Sequence, residues 1–209
     1  MTAVPPPKDL VEETVAIAPG REVTLLRPRE SDELLVEEAF EREEFLPYWA
    51  ELWPSSVALA RAVGARALRG ARTLELGCGL GLVSTAAAQA GGRVLATDWS
   101  AEAVRFAVDN AARNGVDLDA AVVDWSAPEA IVAQGPWQLV LGSDVLYERR
   151  NVDQMLELLP RLVDRSGEVW IADPGRLTSM DFLERSAHRW TRRTALHDRI
   201  EIHRLRLRG

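Results

Sequence analysis

The chain has 209 residues, 47% of them hydrophobic, with a formal net charge of -7; this is the length of one domain and enough apolar material for a sizeable core. The acidic balance argues against non-specific nucleic-acid binding, and the longest apolar stretch, around residues 84–90, is far too short to span a membrane. A single cysteine, Cys78, excludes an internal disulfide and fits a reducing, cytoplasmic setting, while His188, His197 and His203 lack any HExxH or paired-cysteine pattern, so no metal site is expected.

The chain opens with Pro5-Pro6-Pro7 among polar and acidic residues, which predicts a disordered start and no export signal. Weak alternation over 14–17 and 22–26 around Pro19-Gly20 predicts two short strands joined by a turn. Ser31 is the expected N-cap of an acidic helix reaching about Glu43, with Leu34, Leu35, Phe40 and Phe45 apolar. The acids between Glu30 and Glu44 contrast with the arginines between Arg185 and Arg208. Two readings fit that asymmetry: two solvated faces, or an acidic rim that attracts a basic substrate. Residues 1–46 thus read as an N-terminal extension and 47–209 as the main domain.

The segment Pro47-Tyr48-Trp49-Ala50-Glu51-Leu52-Trp53-Pro54 is too aromatic for an ordinary linker, and Ser55 or Ser56 is the expected cap of a helix to about Leu68. Short apolar runs over 72–76, 93–97, 120–123, 139–142 and 169–172 then read as buried strands. Helices over 83–90, 101–114, 129–132 and 151–163 separate them. That alternation implies a doubly wound α/β sheet, mostly parallel and covered on both faces. A helix over 180–190 and strands over 193–197 and 200–207 complete a Rossmann-like sheet of seven strands ending in an antiparallel pair.

Within this frame, Glu75-Leu76-Gly77-Cys78-Gly79-Leu80-Gly81 runs from a strand into a glycine-rich turn and then a helix. Glycines let a ligand approach the backbone closely, and helix N-terminal amides favour an anionic group. Leu82 stands where a dinucleotide fingerprint needs its third glycine, which disfavours a nicotinamide enzyme. Glu75 at the strand end suits a positively charged ligand group such as an ammonium. Asp98 ends the next strand, where an acid accepts bonds from ribose hydroxyls; Asp124 ends the one after, placed for an adenine amino group beside the Trp125 ring. Each acid alone is equally a helix cap. Three at successive strand tips beside a glycine loop form a nucleoside site. Cys78, inside the loop, reads as a small apolar filler.

These residues resemble those of class I S-adenosylmethionine-dependent methyltransferases. Gly142-Ser143-Asp144-Val145-Leu146-Tyr147 and Asp173-Pro174-Gly175-Arg176, with the aromatic segment from Pro47 to Pro54, are similar to family 16 methyltransferases, above all the electron-transfer flavoprotein β-subunit lysine methyltransferases and their bacterial relatives. The resemblance implies S-adenosylmethionine as cofactor and S-adenosylhomocysteine as product. Its expected cofactor-binding set is Trp53, Glu75, Gly77, Gly79, Gly81, Asp98, Trp99, Asp124, Trp125 and Ser143. The expected catalytic pair is Asp144, which captures and aims a lysine, and Tyr147, which lends a hydroxyl or an aromatic wall. Trp53 is read as a lid whose indole nitrogen donates to the cofactor carboxylate, and Asp173 as either a pocket acid or a turn former. The expected partner is a protein presenting a lysine to a monomeric enzyme; a small amine or pyridine is the alternative acceptor, and a catalytically silent cofactor-binding module the third reading.

Overall fold

A computed structural model describes residues 9–29 and 48–209; the acidic helix expected from Ser31 lies outside them. The chain opens with an antiparallel hairpin, β1 (Leu10–Ala18) and β2 (Arg21–Pro28), in register at Thr14↔Thr24. An isolated hairpin is marginal in water, and this one is held from two sides. Val15, Ile17, Val23 and Leu25 are buried in the same core cluster as Leu59, Val63, Val83 and Phe106; fully burying one such side chain stabilises by about 1.5–3 kcal/mol. On its open edge, Asn114 Oδ1 accepts from the Thr24 amide at 2.9 Å and Asn110 Oδ1 from the Leu26 amide at 2.7 Å. The two amide nitrogens donate back to the carbonyls of Thr24 and Leu26. Four residues apart on one helix face, the asparagines satisfy β2 as a neighbouring strand would.

After a 3-10 turn at Tyr48–Ala50, α1 (Pro54–Gly64) begins with proline in its first turn, where the missing N–H costs nothing. Trp53, not Ser55 or Ser56, is its N-cap residue; Ser56 Oγ instead donates back to the Trp53 carbonyl. The regular part follows as β3 (Arg72–Leu76), α2 (Leu82–Gln89), β4 (Arg93–Asp98), α3 (Ala101–Arg113), β5 (Asp119–Val122), α4 (Glu129–Gln134), β6 (Trp137–Ser143), α5 (Arg149–Leu162) and β7 (Val163–Asp173). It closes with α6 (Leu177–Ser186), β8 (Trp190–His197) and β9 (Ile200–Leu207). The sheet order is β5-β4-β3-β6-β7-β9-β8, parallel from β5 to β7, with β9 antiparallel to both β7 and β8. The expected seven strands and late antiparallel pair are therefore present. The last helix starts and ends earlier than the 180–190 expected, because Trp190 turns into β8.

Strand alternation assigns side chains to layers. Leu139, Leu141, Trp170 and Ala172 face the layer of the hairpin, α1 and α2, while Val140, Val169 and Ile171 join Leu158, Leu159 and Phe182 on the other face. On β3, Leu74 and Leu76 also belong to this second layer, so Thr73 and Glu75 point to the first. The sheet reverses its winding between β3 and β6, which is where ligands settle in open α/β sheets.

Candidate functional site

A cavity of about 620 Å³ opens at the carboxyl ends of β3, β4 and β6, within the usual size of small-molecule sites, about 300–1,000 Å³. Its floor is the glycine loop. Gly77 and Gly79 have φ of +68° and +49°; a Cβ on Gly79 would stand 3.1 Å from the Trp49 carbonyl, and one on Gly77 would press on Val145 and Trp125. The loop is tied to β4 by two bonds. The Gly79 amide donates to Asp98 Oδ2 at 3.0 Å and the Cys78 amide to the Thr97 carbonyl at 2.9 Å. Asp98 Oδ1 accepts from the amide of Ser100, the N-cap of α3. Burial pushes the Asp98 carboxyl up despite these bonds.

Asp124, Trp125 and Trp99 line one wall. Asp124 is exposed and accepts from the Ser126 amide at 2.7 Å, which holds its carboxyl below the usual range. The Trp125 indole nitrogen is buried and without a partner among the described residues. The opposite end belongs to β6 and the loop after it: Ser143, Asp144, Val145 and Tyr147. Asp144 sits at φ +55°, its amide donating to the Ala172 carbonyl. The Tyr147 ring meets Tyr48 edge-on at 5.9 Å, and burial pushes its phenol up.

Four expectations are corrected by this geometry. Glu75 does not line the cavity: strand alternation turns it beneath α2, where it is buried and accepts the Ser84 hydroxyl, and burial raises its pKa to about 8. Gly81 also lies off the cavity. A Cβ there would be 2.6 Å from the Ala107 Cα, so this glycine permits α2 to pass α3 rather than a ligand to approach. Trp53 does line the cavity, but its indole nitrogen donates to the Tyr48 carbonyl at 2.8 Å and is not available to a carboxylate. Asp144, expected to stand open for an amine, is paired with Arg176. Asp173 resolves as a turn former, Oδ1 accepting from the Gly175 and Arg176 amides at 2.8 and 2.7 Å.

Several lining residues escaped the sequence reading. Arg150, Asn151 and Gln154 reach the cavity from the first turns of α5, as the helix after a central strand must. Arg176 was legible in principle: Asp144 follows β6 and Asp173 ends β7, strands paired at Ser143↔Ala172, and two adjacent carboxylates call for a cation.

The profile of the lysine methyltransferase family matches residues 38–187. This chain belongs to that family. It is 36% identical over 138 residues to the electron transfer flavoprotein beta subunit lysine methyltransferase of Xenopus laevis, a match covering 62% of this chain and 53% of that protein. The chain spans about half the length of the curated relatives it matches. Among solved structures, this lysine methyltransferase family member resembles ribosomal protein L11 methylase from Lactobacillus delbrueckii subsp. bulgaricus, with a TM-score of 0.59 at 23% identity over 72% of this chain and 78% of that one. It also resembles the methyltransferase SMU.776 in complex with SAH, with a TM-score of 0.59 at 9% identity over 75% of this chain and 50% of that one. At such identities the likeness concerns the fold, a Rossmann-like methyltransferase sheet.

Proposed function

We propose that this chain transfers the methyl group of S-adenosylmethionine to the side-chain amine of a lysine in a protein. The observation that carries the reading is a single cavity lined by the glycine loop, by Asp98 and Asp124, and by Asp144 and Tyr147. The residues present suit the cofactor. Gly77 and Gly79 leave their backbone open to a methionine moiety, and Asp98, steadied by the Gly79, Ser100 and Trp99 amides, lines the cavity where a ribose hydroxyl would bond. Asp124 and Trp125 hold the adenine end beside Trp99, the unpartnered indole nitrogen offering a donor, and Ser143 meets the cofactor from the tip of β6. Glu75 and Gly81 contribute from behind the wall.

Bound there, the cofactor supplies a methyl group activated by a sulfonium, which departs as S-adenosylhomocysteine. The acceptor nitrogen must be neutral to attack; for a free lysine at pH 7 that state costs about 4.6 kcal/mol. Asp144 aims the amine, Tyr147 and Tyr48 wall its alkyl stem, and holding the nitrogen in line carries most of the rate. A protein acceptor is favoured over a small amine by α6. Thr178 Oγ1 fastens this helix to the Leu146 carbonyl, and its first turns leave Leu177 and Met180 exposed beside the mouth. Two exposed apolar side chains about one helical turn apart suit a contact with a partner protein better than a site for a small amine. We assign this activity to residues 47–209, acting in the cytoplasm. No helix among the described residues is long and apolar enough to cross a membrane.

Incubation with methyl-labelled cofactor and cell lysate tests the reading. Label in a protein, located by mass spectrometry on one lysine and absent with Asp144→Asn, is the expected result. Label only in small metabolites would move the acceptor to the alternative class; protein that binds cofactor yet labels nothing would sink the proposal.

A further inference from the structure

The acceptor end of the cavity carries a charge arrangement that a simple ammonium trap would not need. Arg176 Nη1 bonds Asp144 Oδ1 and also lies 3.3 Å from Asp173 Oδ2. Asp173 is wholly buried, and its other oxygen is taken by two backbone amides; it braces the guanidinium from behind and does not line the cavity. Asp144 and Arg176 both do. The backbone keeps the pair in place. Asp144 is held in the left-handed region with its amide on Ala172, and Arg176 is fixed by the Asp173 turn. An entering acceptor therefore meets a carboxylate already matched by a cation.

That matters because a bare carboxylate beside an amine favours its charged, unreactive form, whereas an adjacent cation favours the neutral one. We infer that Arg176 withholds Asp144 from the acceptor's ammonium, so that the pocket selects the amine in its neutral, nucleophilic state. The inference rests on the amine-transfer reading above and adds a specificity residue to it. The other groups facing this end are Tyr147 from the loop after β6 and Arg150 from α5, itself 2.7 Å from Glu148. Glu51 lies before α1, and Asp98 and Asp124 stand at the β4 and β5 tips. His203 sits behind Asp173 on β9 with its pKa lowered by burial.

Titration of n-butylamine, a mimic of the lysine stem, into protein saturated with S-adenosylhomocysteine tests this without turnover. Between pH 7 and pH 9 the neutral fraction of an amine with the reference pKa near 10.4 rises about a hundredfold. Wild-type affinity should rise in step. Arg176→Gln should bind butylamine about tenfold more tightly at pH 7 and lose most of that pH dependence, while Arg176→Lys should keep the wild-type trend. Asp144→Asn combined with Arg176→Gln should restore the preference for neutral amine, which a merely structural role for Arg176 does not predict. Thermal melting and S-adenosylhomocysteine binding establish that each variant is folded. Equal affinity and equal pH dependence in wild type and Arg176→Gln would overturn the inference and leave the transfer reading standing. Butylamine bound by no variant at either pH would remove both.

Discussion

Glu75 shows how one side chain's direction decides its chemistry. It is fully buried beneath α2 with the Ser84 hydroxyl as partner, and its pKa rises to about 8 because burial penalises the charge. The folded protein then keeps a proton that the unfolded chain releases near its ordinary value of 4.5. Stability from this group is complete below that value and drains away as pH rises towards about 8. Asp98, also raised by burial, adds to the same trend, so the difference between wild type and Glu75→Gln isolates Glu75. We expect the variant to melt at a temperature near wild type at pH 5 and clearly above it at pH 8, with unchanged affinity for S-adenosylhomocysteine. A large loss of that affinity would mean the carboxylate reaches the ligand after all. The acid before the glycines was visible in the sequence. That Leu74 and Leu76 send it to the opposite layer was also readable from the period of two, but the ligand reading took precedence. Gly81 teaches the same lesson in reverse: its need for glycine was legible, whereas the helix it must clear, at Ala107, is a tertiary fact.

Elements are positioned by a few polar fasteners laid over apolar packing. The hairpin depends on Asn110 and Asn114, each exchanging bonds with both backbone groups of one β2 residue. Replacing Asn114 by Ala leaves the Thr24 amide and carbonyl without their partner, at a cost of about 1–3 kcal/mol. Hydrogen exchange at Thr24 should quicken far more than in β3 or β6; uniform quickening would show a global effect instead. The sequence displayed the two strands but not this clamp, since nothing local distinguishes an asparagine that solvates itself from one that mimics a strand. Helix α6 presents the complementary case, with Leu177 and Met180 exposed on an element fastened to the acceptor loop. Placing a charge there desolvates badly in a protein–protein contact. Leu177→Asp with Met180→Asp should lower label transfer to protein at least about tenfold while sparing the uptake of butylamine and of S-adenosylhomocysteine. Retained protein labelling would remove α6 from the docking surface.

At the scale of the molecule, strand count and the late antiparallel pair were legible because buried parallel strands are short apolar runs. The order β5-β4-β3-β6-β7-β9-β8 was not, because period and composition carry no information about which strands pair. That order brings the two halves of the site together, with β3 leading into the glycine loop, β6 into Asp144, and Leu76 paired with Gly142 at their tips. In the proposed reading the cofactor half is built on β3, β4 and β5, and the acceptor half on β6 and β7. A ligand spanning the tips of β3, β4 and β5 adds to the bonds that already tie the glycine loop to β4. At about a hundred times its dissociation constant it stabilises the fold by about 2.7 kcal/mol, worth about 5–10 °C in melting temperature for a chain of this size. S-adenosylhomocysteine should give that shift in the wild type and, because Asp144 lies on the other half, an equal shift in Asp144→Asn, whose methyl transfer is lost. A shift abolished by Asp144→Asn would make the two halves one interdependent site, and the division of labour between the strands would have to be given up.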